Sequence, residues 1–178
     1  MTALIRTYRP GEEEYVADLH ERLYTEEYGW GPAFVIYAKK IAIDFPKRPA
    51  SDREGFWIAE VEGEPAGSVM LCGTEDPSVG QLRLFAVEKN RRQGIGRALM
   101  EALLAKAEEV GYETLILWTA GPLEAAIRQY ERFGLYLAGQ RNVRIEDLRK
   151  SPRCAYHRPV HLQQCGLYAE QCRARMAG

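Results

Sequence analysis

The residues best suited to chemistry lie between positions 82 and 99. There Leu82-Arg83-Leu84-Phe85-Ala86-Val87 runs into Glu88-Lys89-Asn90-Arg91-Arg92-Gln93-Gly94-Ile95-Gly96-Arg97-Ala98-Leu99. The pattern reads as a buried strand, a short basic loop, two glycines where the backbone turns, and a helix start. The first N–H groups of a helix have no intrahelical acceptor, and its dipole favours negative charge there. With Lys89, Arg91, Arg92 and Arg97 around it, such a terminus suits a pyrophosphate. A dinucleotide fingerprint would need a third glycine where Leu99 stands and a strand ending closer to the glycines. A P-loop would need Gly-Lys-Ser or Gly-Lys-Thr, which the chain lacks. An ordinary strand-to-helix turn uses glycine for geometry alone, but charge and position together favour an anion site.

The run Arg91-Arg92-Gln93-Gly94-Ile95-Gly96 resembles the acyl-CoA loop of the GCN5-related N-acetyltransferases (GNAT family), with its pattern Gln/Arg-x-x-Gly-x-Gly/Ala. The resemblance covers about residues 3–140. It implies an α/β fold with a mixed central β-sheet flanked by helices. It also implies acetyl-CoA as acetyl donor, with no metal. The backbone of Phe85 and Val87 is then expected to hold the pantetheine arm as another strand would. The pyrophosphate is expected on the N–H groups of Arg92, Gln93, Gly94, Ile95, Gly96 and Arg97, with side-chain charge from Arg91 and Arg92. Within the family, residues 23–30 and the pair Trp118-Thr119 look most like the acetyltransferase domains found fused to MarR-type regulators. No winged-helix unit precedes this one, so no nucleic-acid partner is expected.

The reaction implied is attack of a neutral amine on the acetyl thioester. The amine must lose a proton, the developing oxyanion needs a donor, and the departing thiolate needs a proton. The family pattern places a tyrosine late in the helix after the second core strand, which is Tyr130 here. Its phenol is expected to serve the leaving sulfur. It also lies in the middle of an apolar helical face, and the two roles are compatible. The asparagine that many relatives carry seven residues earlier is Leu123 in this chain. No general base stands out: Glu26, Glu27, Glu75 and Asp76 lie in segments that could border the amine site. Glu26, Tyr28 and Trp30 are expected to line the acceptor pocket, where acidic and aromatic groups suit a cationic amine. Cys72, without a histidine nearby in sequence, reads as a buried thiol. The expected activity is N-acetylation of a small-molecule amine. A non-catalytic acyl-CoA sensor or a protein lysine acetyltransferase would share the same cofactor loop.

The elements that must position these groups follow from periodicity. A strand is predicted at 3–9, helices at 12–26 and 33–44, and a hairpin at 56–61 and 66–71. After the strand ending near Val87, a helix is predicted from Ile95 to Val110. Its expected apolar face is Ile95, Ala98, Leu99, Ala102, Leu103 and Val110, with Lys106 snorkelling. A strand at 113–118, a helix from Pro122 to Phe133 and a strand at 135–138 complete the order.

The chain has 178 residues and a net charge of −1, which fits one soluble domain. No apolar run has the length of a membrane span and the start lacks a signal-peptide pattern, so a cytoplasmic location without membrane partners is expected. The four cysteines form no CxxC pair, so neither zinc nor redox chemistry is indicated. The charge is uneven: residues 141–178 hold eight Lys/Arg against three Asp/Glu. That segment reads as an atypical basic C-terminal extension outside a 1–140 acetyltransferase domain, with no convincing strand. A missing final strand would leave an open sheet edge and invite a homodimer.

Overall fold

The computed structural model describes residues 3–27, 32–88, 94–120, 124–141 and 153–159. In chain order these form β1 (Leu4–Thr7), α1 (Glu13–Arg22) continued by a π-type turn (Leu23–Glu27), α2 (Pro32–Asp44), β2 (Gly55–Val61), β3 (Glu64–Gly73) and β4 (Val79–Val87). Then come α3 (Ile95–Glu109), β5 (Thr114–Ala120), α4 (Glu124–Arg132), β6 (Tyr136–Arg141) and β7 (Arg153–Pro159). The seven strands make one sheet in the order β1-β2-β3-β4-β5-β7-β6. Its pairs are antiparallel except β4 with β5, which are parallel and joined through α3.

Alternation along the strands divides the core between the two faces. Val69 and Leu71 of β3 and Leu82 of β4 pack with Ile95, Leu99 and Leu103 of α3 and with Tyr130 of α4. Met70, Cys72 and Leu84 pack on the other side with Val16 of α1, Ala38 and Ala42 of α2, and Phe56 and Ile58 of β2. Because β3 is covered on both faces, residues 66–72 are buried, and the stretch is nearly all apolar rather than alternating. Each large aliphatic side chain fully withdrawn there contributes about 1.5–3 kcal/mol.

Three expectations change on the structure. The first concerns α1: the helical run reaches Glu27, about as far as expected, but from Leu23 it is π-helical rather than α-helical. The second concerns α3, whose buried face is Ile95, Gly96, Leu99, Met100, Leu103, Leu104 and Ala107. Ala98, Ala102 and Val110 are only half-buried; the sheet selects the stripe that carries Met100 and Leu104. Lys106 does snorkel, with its ammonium 2.9 Å from Glu109.

The third is the tail. Residues 153–159 form a strand that pairs with β5 from Thr114↔Pro159 to Ala120↔Arg153 and with β6 on its other side. A strand hydrogen-bonded on both sides is held by its backbone, so Arg-Cys-Ala-Tyr-His-Arg-Pro forms one without apolar alternation. The sheet therefore extends past residue 140, and β5 is not an open edge, which removes the reason given for a strand-exchanged homodimer.

Candidate functional site

The site is built where β4 and β5 part. The two strands pair only from Val79↔Thr114 to Leu82↔Leu117. Beyond that point β5 keeps its ladder with β7, while residues 83–87 of β4 have no β5 partner among the described residues. The register with β3 breaks at the same level: Ser68 faces Ala86 and Met70 faces Arg83, so Leu84 and Phe85 together oppose Val69. This β-bulge carries Leu84 at φ 48°, a left-handed conformation that a leucine adopts only at a cost of about 1–2 kcal/mol. The Ser68 hydroxyl donates a 2.8 Å buried hydrogen bond to the Leu84 carbonyl. That bond holds the displaced peptide in place.

The bulge turns backbone groups toward the gap. The Glu88 N–H donates to the Ala66 carbonyl at 2.9 Å, and Ala86 lies opposite Ser68. By alternation, the N–H and C=O groups of Phe85 and Val87 face away from β3, into the space that β5 has left. Replacing Ser68 by alanine is expected to strand the buried Leu84 carbonyl and cost about 1–3 kcal/mol. Urea unfolding of Ser68→Ala checks this; an unchanged midpoint would show that the bond does not hold the bulge.

The helix after the loop begins beside this gap. Gly94 is its N-cap at φ +76°, a conformation glycine adopts without a side-chain clash. The first bond within the helix runs from the Ala98 N–H to the Gly94 carbonyl at 3.0 Å. The N–H groups of Ile95, Gly96 and Arg97 precede it and have no helical acceptor. Gly96 has a packing role too: a Cβ there would come within 2.5 Å of the Gln129 amide of α4. Arg97 is exposed and its guanidinium lies 2.7 Å from Glu101, one turn along. Arg91, Arg92 and Gln93 lie outside the described residues.

Tyr130 of α4 is buried at 5% exposure, and its ring lies 5.6 Å from that of Phe85 at 51°. One tyrosine thus joins the apolar core to the strand segment that forms the gap. The turn after it is tight, because the Tyr130 carbonyl accepts from both Phe133 and Leu135.

The acidic candidates are not brought together. Glu26 is exposed on the π-type turn. Glu75 and Asp76 lie in the β3–β4 turn, on the far side of Val79 from Leu84 and about 16 Å or more from the bulge along the strand. Asp76 accepts from the Ser78 N–H at 2.9 Å and hydroxyl at 2.6 Å, which lowers its pKa and makes it a turn-building carboxylate. Tyr28, Trp30 and Leu123 lie outside the described residues, as does the side chain of Glu27. Cys72 is buried, and burial raises its pKa; it is a core thiol 3.6 Å from the Arg48 guanidinium. Among the described residues, no group of three His, Cys, Asp or Glu side chains could hold a metal ion, and no helix is long and apolar enough to cross a membrane.

Sequence reading missed Leu84, Ser68 and His20. Ser68 had a signal, being a polar residue inside a wholly buried strand. Leu84 had none, since nothing in a leucine foretells a positive φ. His20 sits on α1 at 1% exposure, with Nδ1 2.7 Å from the Val16 carbonyl and its ring 5.6 Å from that of Tyr24. Burial lowers its pKa to about 4.

This architecture is shared with known proteins. The Acetyltransferase (GNAT) family model matches residues 13–135. The chain is 35% identical over 103 residues to N-acetyltransferase 8 of Rattus norvegicus, covering 54% of this chain and 46% of the relative. It is 34% identical to N-acetyltransferase 8 of Homo sapiens over 103 residues, 54% of this chain and 45% of that one. The chain thus spans about half the length of the curated relatives it matches. Among solved structures, a GNAT-family protein from Desulfovibrio desulfuricans superposes with a TM-score of 0.74 at 19% identity, over 90% of this chain and 100% of that one. YncA from Salmonella typhimurium, solved with its cofactor acetyl-CoA, gives 0.69 at 12% identity, over 90% and 95%. Fold and family model agree: the chain belongs to the GNAT acetyltransferase family.

Proposed function

We propose that this chain transfers an acetyl group from acetyl-CoA to the amine of a small molecule. The observation that carries the reading is the coincidence of three features at one level of the sheet: the β4–β5 gap, the bulge at Leu84, and the N-terminus of α3. When bound, acetyl-CoA supplies a thioester activated toward amines. The residues present fit it. Backbone groups of Phe85 and Val87 offer an unpaired strand edge to its amide-bearing arm, and the N–H groups of Ile95, Gly96 and Arg97 offer donors to its pyrophosphate.

In the reaction a C–N bond forms to the acetyl carbon and the C–S bond breaks. The Phe85 N–H, aimed into the gap by the bulge, donates to the carbonyl oxygen as negative charge grows on it. The Tyr130 hydroxyl serves the departing sulfur. The proton lost by the amine leaves through solvent or a carboxylate near the acceptor. The resemblance of residues 23–30 and of Trp118-Thr119 to MarR-fused acetyltransferase domains supports placing the chain nearest that branch.

Calorimetric titration tests the binding half. Acetyl-CoA and CoA are expected to bind and ATP is not. Gly94→Ala is expected to weaken both CoA species by about 5- to 30-fold, because alanine must adopt the left-handed conformation that glycine accepts freely. Equal affinity for ATP, or no binding of either CoA species, removes the reading. An amine-panel acetylation assay then tests transfer itself.

A further inference from the structure

Among the described residues, Arg83 is a charged residue beside this site with no carboxylate partner. Its cross-strand partner is Met70, so its side chain lies on the Met70 face of the sheet, which α1 and α2 cover. Ile95, Leu99 and Tyr130, which flank the proposed donor cleft, pack on the opposite face. Arg83 is also the first residue past the last β4–β5 pair, Leu82↔Leu117, and it directly precedes the bulge residue Leu84. The gap therefore opens on one face toward the donor side and on the other toward Arg83.

Arg83 lacks, among the described residues, the carboxylate partner that several other arginines of the fold have. Arg6, Arg22, Arg48 and Arg97 each pair with a carboxylate. Arg83 is half-buried, and its Nε and Nη2 donate at 3.0 and 2.8 Å to the neutral amide oxygen of Gln81. Among the described residues, no carboxylate lies within ion-pair distance of it and Nη1 has no partner. A partly desolvated guanidinium with no counter-ion among the described residues is costly unless an anion completes it. Gln81 holds the fork steady, which favours planar, two-point recognition of a carboxylate.

We propose that Arg83 binds a carboxylate of the acceptor, so that the substrate is an amine that also carries a free carboxylate, of the amino-acid class. This rests on the acetyltransferase reading above and narrows it. A single uncommitted guanidinium matches one negative charge better than a phosphate monoester's two. Distance agrees as well: Arg83 and Phe85 are two residues apart across the bulge, at most about 7 Å even for an extended chain. A molecule of amino-acid size anchored at the guanidinium keeps its amine within reach of the gap.

The test reads binding apart from turnover. A panel of N-acetyl amino acids and their matching primary carboxamides is titrated into the CoA-saturated protein. At least one acid is expected to bind about 10- to 100-fold more tightly than its amide, the range of a charge-assisted hydrogen-bonded pair. Arg83→Met is expected to abolish that preference while leaving CoA affinity unchanged. Arg83→Lys, which keeps charge without the planar fork, is expected to retain part of it, and it carries the test if the methionine variant does not fold. A panel in which no acid outbinds its amide overturns the proposal, as does a preference that survives in Arg83→Met. Acid preference without transfer to any parent amine overturns the enzyme reading instead, and leaves the assignment of Arg83 standing.

Discussion

Tyr130→Phe is expected to lower kcat for acetyl transfer by about 100-fold, with the KM for acetyl-CoA unchanged. General acid catalysis contributes about 10²–10⁴ in rate. The lower end applies because an ordinary phenol holds its proton about 1.5 pK units more firmly than an ordinary thiol. Full transfer to the departing sulfur is therefore uphill by roughly 2 kcal/mol, and the hydroxyl acts best by donating a hydrogen bond as charge grows there. Phenylalanine is the informative replacement. It keeps the ring against Phe85 and within the cluster that includes Leu99 and Leu135, and removes one oxygen. Alanine would instead open a cavity costing about 3–5 kcal/mol and confuse catalysis with folding. Steady-state kinetics beside a thermal melt separates the two roles of this side chain. A kcat within twofold of wild type, on a protein of unchanged stability, would mean that Tyr130 is core alone. A loss confined to KM would place it in cofactor binding.

What could be read from the sequence was local. Gly94 and Gly96 announce a helix start because glycine marks the place where the backbone turns. Phe56 to Val61, Ala66 to Leu71 and Glu113 to Trp118 read as strands because burial of one or both faces shows in residue type. What could not be read depends on partners distant in sequence. β7 has little apolar pattern, and it is a strand because β5 and β6 both present a ladder to it. The bulge exists because β3 and β4 pair out of step, with Ser68 rather than any feature of Leu84 holding it. Arg83 read only as part of a buried strand, and its lack of a carboxylate among the described residues shows only in the fold. The proposed cofactor side thus lies in a contiguous run, whereas the proposed acceptor side is assembled from cross-strand registers that no single stretch contains.

The same distinction governs His20, whose burial gives the chain a specific acid sensitivity. Its folded pKa is about 4, against about 6.5 for an unperturbed histidine. The cause is burial, opposed in part by the Nδ1 contact with the Val16 carbonyl. Nε2 is buried and has no partner among the described residues, and no charged group enters the shift. At pH 7 the folded imidazole is neutral and the unfolded one only about a quarter protonated, so its contribution to pH dependence is small there. As pH falls below about 6.5 the unfolded chain takes up a proton that the folded chain refuses until about 4. Stability should therefore decline through that window, by about 2.5 kcal/mol at pH 4.5 and about 3 kcal/mol in full. Carboxylates such as Glu12, whose pKa is lowered by Arg6, add losses of the same sign at lower pH, so the histidine contribution must be taken as a difference. Urea unfolding of wild type and His20→Gln at pH 7 and pH 4.5 isolates it: the variant should lose about 2.5 kcal/mol less on acidification. Parallel pH profiles would mean that α1 opens enough to admit water at His20. If the profiles diverge as expected, acid weakens the packing of α1, which covers Leu84 and the proposed acceptor face. Acetyl transfer should then fall between pH 6 and 4.5 with CoA binding preserved longer.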